Sequence, residues 1–151
     1  MRLFKKILFI ALISFFVGCN SSQNEKVEQH NEGKICPQCN MPLGNDNTYT
    51  SIIKDGKITY FDDMGCMILY AKENNIDLNT IENKVFTTDT KRYVNSSKVL
   101  FKIDEKTPMS YGFSAYEKEC ENCIKFDEVV IRMLRGEHMA NPKIRKQILG
   151  Y

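Results

Sequence analysis

A short segment of the chain, Cys36–Met41, combines two thiols and one thioether within six residues. Thiolates bind many transition metals, but a thioether is a good ligand only for a soft ion such as Cu(I). Zinc sites in proteins use Cys, His and carboxylate ligands rather than Met. Cys39 and Met41 therefore indicate a Cu(I) site that one or two further sulfur atoms would complete. The further candidate ligands are Met109, Cys66 and Met67, and Cys36 lies in the same segment.

The cysteine spacing also fits three other interpretations, which stay open at this level. Cys36-x2-Cys39 and Cys120-x2-Cys123 have the spacing of a four-thiol zinc site. The first pair could instead be a redox centre, although Pro42 follows almost at once and no helix is expected to start there. Structural disulfides are the third interpretation, with several Met residues serving as core filler at apolar helical positions.

The first eighteen residues have the pattern of a bacterial lipoprotein signal. A basic start precedes the uncharged run Ile7–Val17, which is shorter than the roughly 20 residues of a transmembrane helix. The run ends at Gly18-Cys19, which resembles a lipobox. We therefore expect residues 1–18 to be removed and Cys19 to be lipidated. The acyl chains on Cys19, among them palmitate, would anchor the protein in the membrane. The predicted location is the periplasmic side of a bacterial membrane, and Asn20 favours the outer membrane.

Removal of the signal changes the formal net charge from +2 to −1, because three cations are lost. The mature protein is not basic overall, so no nucleic-acid partner is expected. Residues 19–34 are polar and are predicted to form a flexible tether. The remaining length suits one domain or two small packed units. We assign the copper-binding domain to residues 35–136 and a C-terminal surface helix or tail to residues 137–151.

Residue patterns predict an α+β fold for this domain. Residues 48–61 have the composition of a β-hairpin with a two-residue turn at Asp55-Gly56. Asp62-Asp63 then offers an N-cap for a helix, and Cys66 falls in its first turn, where the helix dipole favours a thiolate. Short strands are expected at residues 84–88, 92–94 and 99–103.

Two segments of the chain share one pattern. Thr59–Asp63 and Ile124–Glu128 each read as a strand, then Phe, then an acidic cap, and each leads into a helical segment. The pattern predicts a two-lobed α+β fold with related halves. Near the C-terminus, Asn141-Pro142 is typical of the start of a surface helix.

Three segments together resemble the family of nitrous-oxide-reductase accessory lipoproteins, NosL. The segments are Cys36–Met41, Tyr60–Met67 and Thr107–Phe113, and they occur in the family's order and spacing behind the lipobox. The resemblance covers about residues 1–19 and 35–130. It implies a lipid-anchored periplasmic metallochaperone of denitrification that binds one Cu(I). The ion would pass to the machinery that matures the copper centre of nitrous oxide reductase, or to another periplasmic copper protein.

The resemblance also implies a fold and a ligand set. The family fold looks like two related ββαβ lobes, similar to the alkylmercury lyase fold. The family's Cys-x-Met maps onto Cys39 and Met41, its Cys-Met pair onto Cys66 and Met67, and its Pro-Met element onto Met109.

The chain departs from the family pattern at four positions. Asn40 and Ser110 replace glycines; Asn tolerates the left-handed backbone conformation, whereas Ser is less equivalent to Gly. Cys120 and Cys123 are not features of the family. For this pair we favour a disulfide that staples the C-terminal half over an additional metal site.

No catalytic function is expected from the sequence. It contains no nucleophile–base pair and no paired acid and base within a motif, so neither an enzyme nor a small-molecule substrate is predicted. Two or three sulfur ligands on exposed loops suit a copper donor, since a partner's sulfur could add before a donor ligand leaves. The alternative is a structural zinc-binding or disulfide-stapled envelope lipoprotein that acts as an interaction module.

Overall fold

A β-hairpin opens the regular structure of the computed structural model, which describes residues 33–118 and 120–151. Its strands are β1, Ser51–Asp55, and β2, Lys57–Phe61. The register pairs Asp55 with Lys57 around Gly56, whose φ is +67°, so the turn differs by one residue from the predicted two-residue turn. The predicted signal, the predicted lipidation site Cys19 and nearly all of the predicted tether lie outside the described residues.

The segment before β1 was expected to be extended from residue 48, and the structure shows a turn there. Asn47 and Tyr49 have positive φ angles of 57° and 66°, and the Thr50 amide donates to the Asn47 carbonyl at 3.0 Å. The Asn side chain tolerates this conformation and the turn delays the strand to Ser51, despite the β-forming residues that precede it.

Helix α1, Met64–Glu73, follows the hairpin directly, as the sequence predicts. Asp63 is its N-cap, and its carboxylate accepts a hydrogen bond from the Gly65 amide at 2.9 Å. The buried face contains Met64, Cys66, Met67, Ile68 and Ala71. The helix ends at Asn74, and Asn75 takes a left-handed conformation with φ of 56°. This helix packs against the hairpin that precedes it.

Two further strands complete a four-stranded antiparallel sheet. They are β3, Glu82–Phe86, and β4, Tyr93–Asn95, and the strand order is β2-β1-β3-β4. The register pairs Ser51 with Val85 and Val85 with Val94, so β1 and β3 occupy the centre of the sheet. The order of elements β1-β2-α1-β3 is the ββαβ arrangement expected for one lobe.

A second, three-stranded sheet has the order β6-β5-β7. Its strands are β5, Leu100–Lys102, β6, Ser114–Tyr116, and β7, Ile124–Lys125, followed by helix α2, Phe126–Arg135. Three strands therefore precede the helix here, in place of the strand order expected for a ββαβ lobe. The acidic residues Asp127 and Glu128 lie in the first turn of α2, but the N-cap, Lys125, makes no side-chain capping bond.

One hydrophobic core joins the two sheets. Phe61, Phe101, Phe113 and Val129 are among its most completely buried members, and they come from both halves. A parallel bridge between Thr87 and Ala115 also links the sheets. The α+β class is therefore confirmed.

The C-terminal residues form a surface helix. Helix α3, Pro142–Leu149, begins behind its N-cap Asn141, whose side chain accepts from the Lys143 amide, and it buries no residue. A disulfide joins Cys120 to Cys123, the pair for which the sequence favours one. Within residues 33–118 and 120–151, no helix has both the length and the apolarity needed to cross a membrane.

Candidate metal centre

The segment around Cys36 folds into a narrow loop whose two arms run antiparallel. Ile35 and Pro42 form an isolated bridge, and the Leu43 amide donates to the Lys34 carbonyl at 3.0 Å. Inside the bridge, the Cys36 amide donates to the Met41 carbonyl at 2.9 Å. Lys34, assigned to the tether from sequence, thus belongs to the fold, and its Nζ lies 3.8 Å from the centre of the Tyr60 ring.

A left-handed residue closes this loop. Asn40 has φ of 59°, and its amide donates to the Cys36 carbonyl at 2.9 Å. Asn40 therefore forms the turn of this loop, as its short polar side chain allows. Ser110 also takes a positive φ, of 58°, although Ser is less suited to this conformation than Gly.

The arms of the loop present their side chains alternately to two faces. Cys36 and Leu43 point inward and are buried, whereas Ile35 is 61% exposed on the outer face. Cys36 and Met41 lie opposite each other in the loop, where the hydrogen bond from the Cys36 amide to the Met41 carbonyl joins them. Met41 is 44% exposed. The Met41 side chain therefore lies at the solvent edge of the loop that contains Cys36 and Cys39.

The loop faces the start of α1, and four ligand atoms meet there. They are the Sγ atoms of Cys36, Cys39 and Cys66 and a carboxylate oxygen of Asp62, all within 4.8 Å of one another. Within residues 33–118 and 120–151, these four form the group of Cys, His or acidic residues whose ligand atoms lie closely enough together to hold a metal ion. A tetrahedral ion with Zn–S distances of about 2.3 Å has ligand atoms about 3.8 Å apart, so small movements would fit one here.

Asp62 is the member of the cluster that sequence reasoning missed. Its Oδ1 accepts a hydrogen bond from the Cys39 thiol at 3.2 Å, while its buried Oδ2 has no partner in the described part of the chain. An unpaired buried carboxylate oxygen is costly, and coordination to a cation would satisfy it. The Asp62-Asp63 doublet was a usable signal, because an N-cap needs one carboxylate and the second had no assigned role.

The protonation of the three thiols is unequal. A hydrogen bond from the Cys66 thiol lowers the pKa of Cys36 to about 6, despite the opposing effect of burial. Donation of that bond, together with burial, raises the pKa of Cys66. Burial, with the neighbouring Asp62 carboxylate, raises the pKa of Cys39 to about 12. These shifts favour a thiolate at Cys36 and thiols at Cys39 and Cys66, so a metal that binds all three sulfurs would displace the protons of Cys39 and Cys66.

A buried carboxylate next to the cluster fixes its surroundings. Besides capping α1, Asp63 accepts hydrogen bonds at Oδ2 from the Thr107 hydroxyl at 2.6 Å and from the Met109 amide at 3.1 Å. Burial raises the pKa of Asp63 to about 6, although these bonds oppose the shift. Thr107 also accepts from the Gly112 amide at 3.2 Å. The segment Thr107–Gly112 is thus held against the helix turn that carries Cys66.

An aromatic ring covers the same helix turn. A Cβ built on Gly65 would lie 2.2 Å from the Tyr111 ring, so the ring packs directly on the glycine backbone. The Tyr111 ring also stacks edge to face with His138, with 4.9 Å between ring centres. Burial raises the pKa of Tyr111 to about 12, and the nearby cysteines and acidic groups add to that shift. Tyr111 therefore covers the helix turn that carries Cys66.

The structure brings three of the predicted ligands together, namely Cys36, Cys39 and Cys66. Met67 is fully buried in the hydrophobic core, and Met109 is half-buried beside Asp63. Coordination by the thioethers of Met41, Met67 and Met109 stays a prediction. The four-thiol zinc interpretation needs Cys120 and Cys123, and their disulfide withholds both sulfurs from it.

Comparisons of this chain with protein-family models, with curated proteins and with solved structures found no match.

Proposed function

We propose that this protein is a Cu(I)-binding metallochaperone whose metal centre is formed by Cys36, Cys39 and Cys66 together with the Met41 thioether. The observation that carries the proposal is that three cysteine sulfurs lie within 4.8 Å of one another. Two of these cysteines, Cys36 and Cys39, belong to the loop that also contains Met41. Three sulfur ligands suit the low coordination numbers of a soft monovalent ion, and a thioether adds selectivity for it over zinc.

The unequal exposure of the ligands suits transfer of the ion. Cys36 and Cys66 are completely buried, whereas Cys39 is half-buried and Met41 is 44% exposed. The buried pair would hold the ion, and the outer pair would be the first to exchange with a partner's sulfur. Release then requires movement of the loop alone, since α1 and the core keep Cys66 in place.

The wider setting follows from the sequence. A lipid at Cys19 would anchor the protein on the periplasmic side of a bacterial membrane, and residues 19–32 would tether the folded part to it. The fold would be related to NosL and alkylmercury lyase. The ion would pass to the maturation machinery of nitrous oxide reductase or to another periplasmic copper protein. Catalysis, a small-molecule substrate and nucleic-acid binding form no part of the proposal.

Asp62 favours a second candidate function, that of a zinc module. Three thiolates and a carboxylate form a closed tetrahedral set that structural zinc accepts, and the unpartnered Oδ2 of Asp62 is available as the fourth ligand. In this alternative, the metal would stabilise the fold and would not leave it. The zinc site would involve neither Met41 nor the disulfide cysteines.

A metal competition distinguishes the two candidates. The chain from residue 20 onward, which contains all of the described fold and lacks Cys19, would be reduced and titrated anaerobically with Cu(I) against a chromophoric chelator. Zn(II) would be titrated in parallel. We expect stoichiometric Cu(I) binding that weakens about tenfold or more in Met41→Leu, a substitution that keeps the size of the side chain.

The matched control is Met133→Leu, because Met133 is buried in α2 as core filler. It should bind Cu(I) as the wild type does. Retention of Zn(II) by both variants, with only weak Cu(I) capture by the wild type, would replace the chaperone with the zinc module.

A further inference from the structure

The C-terminal segment differs sharply in charge from the rest of the chain. Residues 138–151 contain Lys143, Arg145 and Lys146 and neither Asp nor Glu, whereas residues 33–137 carry a formal net charge of −2. The chain from residue 20 onward has a net charge of −1. Attraction to an anionic surface would therefore have to come from this local segment and not from the protein's overall charge.

Helix α3 presents these cations outward. Lys143, Arg145 and Lys146 are all exposed, and none of them forms an ion pair with another residue of the described chain. Asp104 and Glu121 line the pocket under α3, but neither lies within ion-pair distance of these three cations. Their charge is therefore available to a partner.

Apolar side chains lie among the cations. Leu149 is 40% exposed and Tyr151 is 76% exposed, and both follow the basic residues at the end of α3. On the opposite side of the helix, Ile148 lines a shallow pocket with Ile103 and Asn122 and is half-buried. The helix thus rests on the protein through one side and leaves a face of mixed basic and apolar character in solvent.

We propose that this face, formed by Lys143, Arg145, Lys146, Leu149 and Tyr151, binds an anionic phospholipid surface. Lys and Arg are attracted to the negative potential of such a surface, and Leu and Tyr side chains suit the boundary between headgroups and acyl chains. The exposed face combines three cations with Leu149 and contains no acidic residue, a charge pattern that favours a negatively charged membrane surface. The interaction is distinct from the lipid predicted at Cys19 and does not depend on the identity of the metal.

His138 and Met139, which precede α3, connect this surface to the metal centre. The Met139 amide donates to the Tyr111 carbonyl at 3.0 Å, and His138 stacks on the Tyr111 ring. Tyr111 in turn packs on Gly65, next to Cys66. Binding through α3 would therefore hold the cluster in a fixed orientation at the membrane, which a flexible tether alone would not do.

Vesicle binding tests the proposal. The chain from residue 20 onward, which has no acyl anchor, would be sedimented with vesicles of equal parts phosphatidylglycerol and phosphatidylcholine, and with pure phosphatidylcholine. We expect binding to the anionic vesicles alone, lost at high salt. Each charge contributes about fivefold to the partition coefficient between vesicles and water. Replacing Lys143, Arg145 and Lys146 by Gln should therefore lower that coefficient by about a hundredfold.

The matched control replaces three exposed lysines elsewhere, Lys57, Lys98 and Lys106, by Gln. It makes the same change in net charge and should bind the anionic vesicles nearly as the wild type does. Far-UV circular dichroism would show that both variants are folded. Equal losses in the two variants, or wild-type binding no stronger to anionic than to neutral vesicles, would overturn the proposal.

Discussion

Replacement of Thr107 by Val removes a hydroxyl that links the metal-centre helix to the loop over it. Thr107 is 4% exposed, and Val has nearly the same shape. The substitution deletes a hydrogen bond to the Asp63 carboxylate, and bonds to charged groups contribute about 1.5–3 kcal/mol. It also leaves the Gly112 amide without its acceptor, at a cost of about 1–3 kcal/mol. The free energy of unfolding should therefore fall by about 3–5 kcal/mol.

Urea unfolding of the metal-free chain from residue 20 onward, followed by far-UV circular dichroism, measures this change. The control is Thr107→Ser, which keeps the hydroxyl and loses one methyl group, at a cost of about 1 kcal/mol. If Thr107→Val were no more destabilising than Thr107→Ser, the link between Asp63 and the loop would not contribute as the geometry indicates.

The same variant has a signed dependence on pH. Because the pKa of Asp63 is raised to about 6 in the folded state, that state holds the proton more tightly than the unfolded chain does. The Asp63 carboxyl therefore makes its full contribution to the free energy of unfolding below about pH 4, and this contribution is lost as the pH rises through about 6. Without the Thr107 hydroxyl the pKa rises further, so in Thr107→Val the loss should continue to higher pH.

The metal centre gives three further predictions. Metal binding should release about two protons near neutral pH, because the pKa values of Cys39 and Cys66 are raised. The logarithm of the metal-binding affinity should therefore rise by about two for each pH unit. An affinity that does not change with pH would contradict the protonation states described. In competition titrations, Asp62→Ala should weaken Zn(II) binding by about a hundredfold and Cu(I) binding by less than tenfold, because a carboxylate is a poor ligand for a soft ion. Equal losses would make Asp62 a ligand of both ions. Gly65→Ala should lower the free energy of unfolding by about 1–3 kcal/mol in urea, since Tyr111 must move. The control Gly44→Ala meets only an ordinary contact at 3.6 Å and should change little.

Local signals in the sequence were sufficient for much of the fold. The Asp-Gly turn predicts the first hairpin, and the acidic cap predicts where α1 begins. The start of this hairpin shows the limits of such signals. The β-forming residues Thr48–Thr50 lie in a turn, because the left-handed conformations at Asn47 and Tyr49 outweigh β propensity.

The second sheet depends on contacts that no local pattern contains. Strand β7, Ile124–Lys125, has only two residues and pairs with β5 more than twenty residues earlier. Periodicity over two residues carries almost no information, so the expected repeat of the first half could not reveal that three strands precede α2. The pairing is determined by packing around the shared core.

The candidate site, like the fold, could be predicted only in part from local signals in the sequence. Residue types identify Cys36, Cys39 and Cys66 as possible ligands, but the distance between the loop and α1 depends on the tertiary fold. Asp62 was missed because its side chain had been assigned to helix capping together with Asp63. Only the folded chain shows that Asp63 alone caps the helix and that Asp62 faces the Cys39 thiol.

The most direct test of the account is alkylation of the cysteines with and without Cu(I), read by peptide mass spectrometry on the reduced chain from residue 20 onward. Reduction would be complete, so that all five cysteines can react, and alkylation would run until the metal-free chain is fully modified. Cys120 and Cys123 would then act as internal references because they lie outside the cluster. We predict that one Cu(I) per chain protects Cys36, Cys39 and Cys66 together. Unchanged alkylation of all three on addition of Cu(I), or protection of Cys120 and Cys123 instead, would contradict the proposed centre.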